Sequence, residues 1–590
     1  MYKLVLFSVF IVWGCTPDFP TTAAQYDMPK QAFSKKGMVV TAHPVATRVG
    51  VDILEKGGNA VDAMVAVHFA LAVVYQRAGN IGGGGFMLYR PAAGGVESLD
   101  FRESAPLAAT KDMFLDKNGK AVDSLSRDGH LAVGTPGSVA GMWQAHQKFG
   151  RLPWAELVAP AVRLAKEGVA LTNYEARTLN EMRKTFLKLN RYAPALVREK
   201  IGSNGLAQDT IWKKGDILIQ LDLAKTMLEI QNKGRDGFYK GIVADLLVAE
   251  MQAKGGLISH KDLELYQAKW RPVLSFDVSG GYKVYSMAPP SSGGILLAQM
   301  FGMIRHYPLK KWGYHSAEAV HLMTEAERRA YADRAQHIGD PDFYPVPTAQ
   351  LIDSQYTHNR IKSTFSLTKA SLSSDIKGGD FELPKENLPK ENNPKESEET
   401  THYCITDEDG NAISVTTTVN TNYGSKVVVM GGGFILNNEM DDFSAKPNSP
   451  NAFGLLGGKA NAIVPQKRML SSMTPTIVER DAKLFMLLGT PGGATIPTSI
   501  FQVLVNVLIF EQPLLQAVHN KRFHHQHQPD KIQIEKDALP KNVVKMLRSM
   551  GHKVEERKSI GLVEAIRIHD DGRHEGVADR RSNDTAIGVK

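Results

Sequence analysis

Residues 400–420, reading TTHYCITDEDGNAISVTTTVN, constrain the fold more than any other stretch of this chain. They follow PKENLPKENNPKESEE (384–399), which is too polar and Pro-rich to bury a core, so ordered structure is expected to resume abruptly at Thr400. Beyond that point, β-branched and aromatic residues fill alternate positions (Tyr403, Ile405, then Ile413, Val415, Thr417 and Val419), with Asp409-Gly410 between the two runs. This is the pattern of a β-hairpin. A loop of Glu408, Asp409 and Gly410, with Gly410 left-handed, sets Asp407 against Asn411. Counting outward from there sets Thr400 against Thr418, so two hydroxyls meet across the ladder with Asn420 nearby.

A threonine hydroxyl is a poor nucleophile until a base takes its proton, and no His or Lys of this stretch is obviously placed to do so. Its own α-amino group would serve. With an unperturbed pKa of about 7.7 to 8.0 it suits general-base work near neutrality, provided the chain is cut so that Thr400 becomes an N-terminus. The Glu399-Thr400 bond borders the polar segment, where the Thr400 hydroxyl can attack the preceding carbonyl to give an ester that water opens. Read alone, the hairpin also fits two strands after a linker, with threonines present for β-propensity.

TTHY, DGNA and TTTVNTNYGS closely resemble the processing site of the gamma-glutamyltranspeptidases, a family of N-terminal-nucleophile hydrolases. The resemblance continues through LNNEMDDF (436–443), LSSM (470–473), GTPGG (489–493) and RFHHQ (522–526). Upstream it takes in GVDILEKGGNAVDA (50–63), AGNIGGGGFM (78–87), LDFRESAP (99–106), GTPGSVAG (134–141) and MAPPSSGG (287–294). These motifs keep the family's order over residues 35–590, and together they are far more specific than any one of them.

The resemblance implies an α/β (α+β) fold, a four-layer αββα sandwich formed jointly by a large subunit (35–399, ending in a flexible 366–399 tail) and a small catalytic subunit (400–590). It implies Thr400 as nucleophile toward γ-glutamyl compounds such as glutathione, with Thr418 holding its hydroxyl. Gly492 and Gly493 would meet the oxyanion with backbone amides. Arg102, Ser471 and Ser472 would take the substrate's α-carboxylate, and Asn420, Glu439 and Asp442 its α-ammonium. The acyl group then passes to water, an amino acid or a dipeptide, and no metal or organic cofactor is required. Two rival readings stand beside this one. A glutaryl or cephalosporin acylase shares the fold and nucleophile, but two carboxylates would repel a substrate lacking the ammonium. A non-catalytic, lipid-anchored binding protein would keep the pocket without maturing.

One departure concerns SAKPNSPNAFGLLGG (444–458), which resembles the lid loop of some members but carries Phe453 where they often have tyrosine. A phenylalanine there can pack but cannot hydrogen-bond across the mouth to Asn420. This bears on gating and on the balance between hydrolysis and transfer.

At the N-terminus, Lys3 and a mostly apolar run read as an export signal (1–14) whose end, with the next residue, forms Val12-Trp13-Gly14-Cys15, which resembles a bacterial lipobox. Cys15 would be lipidated, 16–34 would be a linker, and the protein would be an exported, periplasmic lipoprotein. Only Cys404 then remains, so no intramolecular disulfide forms, and Cys404 reads as a small apolar strand residue. Residues 60–75 are the most apolar internal run, but Asp62, His68 and a length short of about 18 apolar residues make a buried helix the better reading. The net charge of +8, from 70 basic and 62 acidic residues, is spread without a basic block, so nucleic acid is not indicated. His519, His524, His525 and His527 lack a metal-site spacing, and the glycine run 82–85 lacks the remainder of a phosphate loop and reads as structural, lining the site. No G-x-S-x-G occurs.

Overall fold

The computed structural model describes residues 26, 28–201, 207–381, 400–444 and 457–590. Two seven-stranded sheets organise them. In spatial order the first contains Thr585–Gly588, Met38–Thr41, Thr401–Thr406, Ala412–Thr418, Gly84–Arg90, Glu97–Asp100 and Lys269–Arg271. The second contains Gln31–Ser34, His574–Val577, Glu564–Ile568, Lys483–Gly489, Thr476–Arg480, Tyr282–Ser286 and Leu274–Val278. Every pairing within both sheets is antiparallel.

The layers follow from where the side chains are buried. Val40, Phe86, Leu88 and Cys404 of the first sheet pack against Ile477, Leu487 and Ile566 of the second. On the outer face of the first sheet, Val39, Tyr403, Ile405, Ile413 and Val415 join the helices Pro44–Glu55, Ala60–Val74 and Trp154–Glu167. The outer face of the second sheet is covered by Gly293–Ile304, Ala317–His337 and Thr495–Leu508. This is the αββα sandwich expected from the sequence, each sheet burying both faces as a four-layer stack requires.

Ala60–Val74 is buried along its whole length and opens on a capping box between Asn59 and Asp62. It is the buried helix that its all-round apolarity predicts. The Asp407 carboxylate accepts from the Ala60 amide at 2.8 Å, which ties the turn end of the hairpin to this helix. Among the described residues no helix is long and apolar enough to cross a membrane.

Both sheets contain strands from before and from after Thr400, so neither stretch completes a sheet alone. Two boundaries differ from the sequence reading. Gln31–Ser34, inside the expected linker 16–34, is an edge strand paired with His574–Val577. Residues 366–381, the start of the expected flexible tail, pack against the body. Ser373 and Ile376 are buried, the Ser373 amide donates to Asp530 at 2.8 Å, and the Gly379 amide donates to Asp333 at 2.8 Å. Tertiary hydrogen bonds hold a segment whose composition alone reads as solvent-exposed. Cys15, Phe453 and residues 382–399 lie outside the described residues.

Candidate active site

The hairpin has the register obtained by counting from its turn. The Asp407 amide donates to the Asn411 carbonyl, Gly410 has φ +92°, and Thr401 pairs with Thr417, which sets Thr400 against Thr418. The two Oγ1 atoms are 3.4 Å apart, and both residues are buried. Thr418 Oγ1 also accepts from the Asn420 amide at 2.7 Å. Asn420 has φ +78°, a left-handed conformation that asparagine tolerates better than most residues. Its Nδ2 donates to the Asn438 carbonyl at 3.0 Å, while its buried Oδ1 has no partner among the described residues.

A narrow, polar-lined cleft opens beside Thr400. Thr418, Asn420 and Gly493 border it near the hydroxyl, and Arg102, Glu439, Asp442, Ser471 and Ser472 line the remainder. Nine of the ten site residues expected from the sequence thus meet at one cavity. The tenth, Gly492, adjoins Gly493 just ahead of the helix Thr495–Leu508. The two glycines have φ +137° and +54°, and neither amide donates to a described residue. Unpaired amides at a helix N-terminus are suited to negative charge.

At the charged side of the cleft, Arg102 Nη1 is 2.6 Å from Glu439 and 3.6 Å from Glu103, while Nη2 donates to Asp442 at 2.6 Å. Nε faces the Met469 carbonyl at 3.4 Å. Burial works against the charge on Arg102, but Glu439, Asp442 and Glu103 outweigh it and hold the guanidinium protonated. Burial pushes the Glu103 carboxyl up to about 8 and Glu439 well above the usual carboxylate range, with Arg102 opposing both shifts. The cation and the acids expected to hold the two ends of a zwitterion are thus in direct contact with each other.

A model of the family described as gamma-glutamyltranspeptidase matches residues 46–589. The chain belongs to the gamma-glutamyltranspeptidase family. It is 43% identical over 569 residues to the glutathione hydrolase proenzyme of Escherichia coli strain K12, covering 96% of this chain and 94% of the relative. The crystal structure of Helicobacter pylori gamma-glutamyltranspeptidase aligns with a TM-score of 0.54 at 43% identity, covering 58% of this chain and 96% of that one. The cephalosporin acylase of Bacillus halodurans superposes with a TM-score of 0.79 over 98% of this chain and 100% of its own. At 23% identity, that likeness shows the shared fold alone.

The family's motifs acquire physical roles in this frame. The glycine run 82–85 is structural, as its lack of a phosphate-loop remainder suggests, but it borders the hairpin and not the cleft. The Gly84 amide region pairs with Thr418, and the Thr417 hydroxyl donates to the Gly84 carbonyl at 2.8 Å. Asn80 donates to the Thr418 carbonyl at 3.0 Å and receives the Ser138 hydroxyl at 2.6 Å, which fixes the strand end that carries Thr418. In MAPPSSGG, Ser291 donates to the Met473 carbonyl at 2.6 Å and Ser292 to the Ser471 carbonyl at 2.8 Å, so residues before Thr400 hold the serine loop that follows it.

The histidines of 519–527 turn to separate partners: His519 to the Ala578 carbonyl, His524 to Thr498 and Gln526, His525 to Asp530, and His527 to the Ser373 and Ile376 carbonyls. A different trio, His321, Glu325 and His552, lies close together. His321 donates through Nε2 to the Ser366 carbonyl at 2.7 Å, leaving Nδ1 to accept from His552 at 2.7 Å, while Glu325 is bound by Arg328 and Arg329. Cys404 is a buried strand residue between the sheets.

Sequence reasoning gave no site role to four residues at or behind the cleft. Met473 and Ile496 supply apolar wall, Glu103 backs Arg102, and Arg334 reaches the cleft from the helix Ala317–His337. Glu103 follows Arg102 inside a family motif, and from the sequence it reads only as a candidate ion-pair partner of Arg102. Arg334 sits in the charged run ERRAYADR, which reads locally as a solvated helix face.

Proposed function

We propose that the chain is a self-processing γ-glutamyltransferase and glutathione hydrolase. The observation that carries the reading is the Thr400 hydroxyl, 3.4 Å from that of Thr418, at the edge of a cleft that also holds Gly493, a buried guanidinium and two carboxylates. In maturation, Thr400 Oγ1 attacks the Glu399 carbonyl, the acyl group moves from nitrogen to oxygen, and water hydrolyses the ester. The products are a large subunit ending at Glu399 and a small subunit beginning at Thr400, which stay together because their strands interleave.

In turnover, the freed Thr400 amine takes the hydroxyl proton as Oγ1 attacks the γ-carbonyl of the donor, and returns it to the departing amine. The Gly492 and Gly493 amides receive the oxyanion. Water or an acceptor amine then opens the γ-glutamyl ester, restoring the hydroxyl. The donor's α-carboxylate goes to Arg102, Ser471 and Ser472, and its α-ammonium to Asn420, Glu439 and Asp442. A zwitterion suits this site because it replaces an internal ion pair: its two charges take over the partners that Arg102 and the acids otherwise find in each other. The N-terminal signal and Cys15 are read as export to the periplasm with a lipid anchor.

Intact mass and N-terminal sequencing of the purified protein test the reading first. A fragment beginning Thr-Thr-His-Tyr is expected, with turnover of γ-glutamyl-p-nitroanilide. Thr400→Ala should give a single uncut chain without turnover, and cleavage that survived this change would sink the nucleophile assignment.

A further inference from the structure

The cleft contains a second guanidinium that differs from Arg102 in one respect. Arg334 is 4% exposed, and no carboxylate among the described residues lies within ion-pair distance of it. Its Nε donates to Ser292 Oγ at 3.1 Å and its Nη2 to Ser472 Oγ at 3.3 Å, and Nη1 donates to no described residue. Burying a cation without a directly paired counter-ion is costly, and burial lowers its pKa to about 10, with Tyr331 and the more distant Asp442 opposing, which still leaves it charged at neutral pH. A fold that needed only a hydrogen-bonding wall here could use a neutral side chain at less cost.

The contrast with Arg102 indicates what the charge is for. Every nitrogen of Arg102 already faces an acid or a carbonyl, with Glu103, Glu439 and Asp442 all against it. Arg334 faces only hydroxyls, and one of these is Ser472, on the serine pair proposed to receive the ligand's carboxylate. By donating to Ser472 Oγ, the guanidinium occupies a lone pair of that oxygen and leaves its O–H to point at an incoming acceptor. Through Ser292, which donates to the Ser471 carbonyl at 2.8 Å, the same side chain also steadies the other serine.

We propose that Arg334 is a specificity-determining residue of the donor site: its charge, which no carboxylate among the described residues pairs directly, selects ligands with a carboxylate at the α-position, and it sets the Ser472 hydroxyl to donate to that carboxylate. The inference rests on the γ-glutamyl reading and adds a residue to it. It divides the electrostatic work. Arg102 organises the acids that meet the ammonium and shares the carboxylate, while Arg334 supplies a positive charge that no carboxylate among the described residues pairs directly.

The test uses the processed enzyme as wild type, Arg334→Gln and Arg334→Lys. L-glutamate and its α-carboxamide are titrated by calorimetry, and γ-glutamyl-p-nitroanilide kinetics and self-cleavage are followed alongside. Arg334→Gln should weaken glutamate by about 10- to 100-fold, the worth of a hydrogen bond to a charged group, and raise the donor KM in step. The carboxamide should change by less than about 3-fold and kcat should hold within a similar factor, a split that a purely structural role would not produce. Arg334→Lys, which keeps the charge and loses the fork, should fall between, and it decides the matter if the Gln variant does not fold or cut itself. Equal weakening of both ligands, or unchanged glutamate binding, would overturn the proposal. Wild type that cuts itself yet neither prefers glutamate over the carboxamide nor turns over the γ-glutamyl donor would overturn the underlying reading, and this proposal with it.

Discussion

Gly83 lies so close to Thr418 that a β-carbon on it would stand 2.1 Å from the Thr418 carbonyl oxygen, with the Asn80 amide oxygen at 2.7 Å on its other side. The obstacle is backbone, so the added carbon must move the strand end that carries Thr418. Gly83→Ala is therefore expected to slow self-cleavage by about 10-fold or more, in line with an overpacking cost of roughly 1 to 3 kcal/mol, while Gly94→Ala, which strains its own turn at φ +91° but meets no atom of the hairpin, leaves cleavage nearly unchanged. Gel densitometry of precursor and fragments over time reads both. Equal behaviour of the two variants would dissociate the glycine run from the nucleophile.

Thr418→Val keeps the shape of the side chain and removes its hydroxyl. The Asn420 amide then loses its 2.7 Å acceptor in a buried site, a loss of about 1 to 3 kcal/mol, and Thr400 loses the group facing its own hydroxyl. Self-cleavage and turnover should both fall, by about 10-fold or more on that scale, and Thr418→Ser should restore most of each. If serine rescued no better than valine, packing and not the hydroxyl would be the contribution of Thr418.

How far the sequence anticipates this site depends on the range of the interactions. The register from Asp407 to Thr400 is local: one turn with a left-handed Gly410 fixes every cross-strand pair by counting, and the structure keeps that count. The buried helix Ala60–Val74 is legible because no face of it is polar. Arg334 is not legible, since its neighbours in sequence are charged while its neighbours in space are serines more than forty and more than a hundred residues away. The edge strand Gln31–Ser34 and the docking of 366–381 are hidden for the same reason, because both depend on partners distant in sequence. Composition describes a segment's own preference, and these segments are fixed by what lies beside them.

Arg102→Lys replaces a planar fork that spans Glu439 and Asp442 with a point charge that cannot reach both in the same geometry. Donor KM is expected to rise by about 10- to 100-fold, with a smaller effect on self-cleavage, since neither Thr400 nor Thr418 bonds to this residue. Steady-state kinetics on γ-glutamyl-p-nitroanilide beside a cleavage time course make the comparison. Unaltered donor affinity would count against a role for Arg102 in holding the carboxylate.

The pH dependence of stability has a determinate sign at Glu103. Burial raises its carboxyl from 4.5 to about 8, with Asp442 and Asp100 adding to the rise and Arg102 opposing it. The folded protein therefore holds this proton more tightly than the unfolded chain, and an acid shifted upward lowers stability as pH climbs from about 4.5 to about 8. Below that window both states are protonated and above it both are ionised, so the slope is confined to it. Glu439, raised for the same cause, slopes in the same direction. Glu103→Gln removes one of these protons from the balance while keeping the size of the side chain. Thermal melts at pH 5 and pH 8 should show wild type losing more of its Tm across the interval than the variant does, because the groups common to both cancel in the comparison. An equal or larger loss in Glu103→Gln would mean that Glu103 is ionised throughout, held by Arg102 more strongly than burial penalises it.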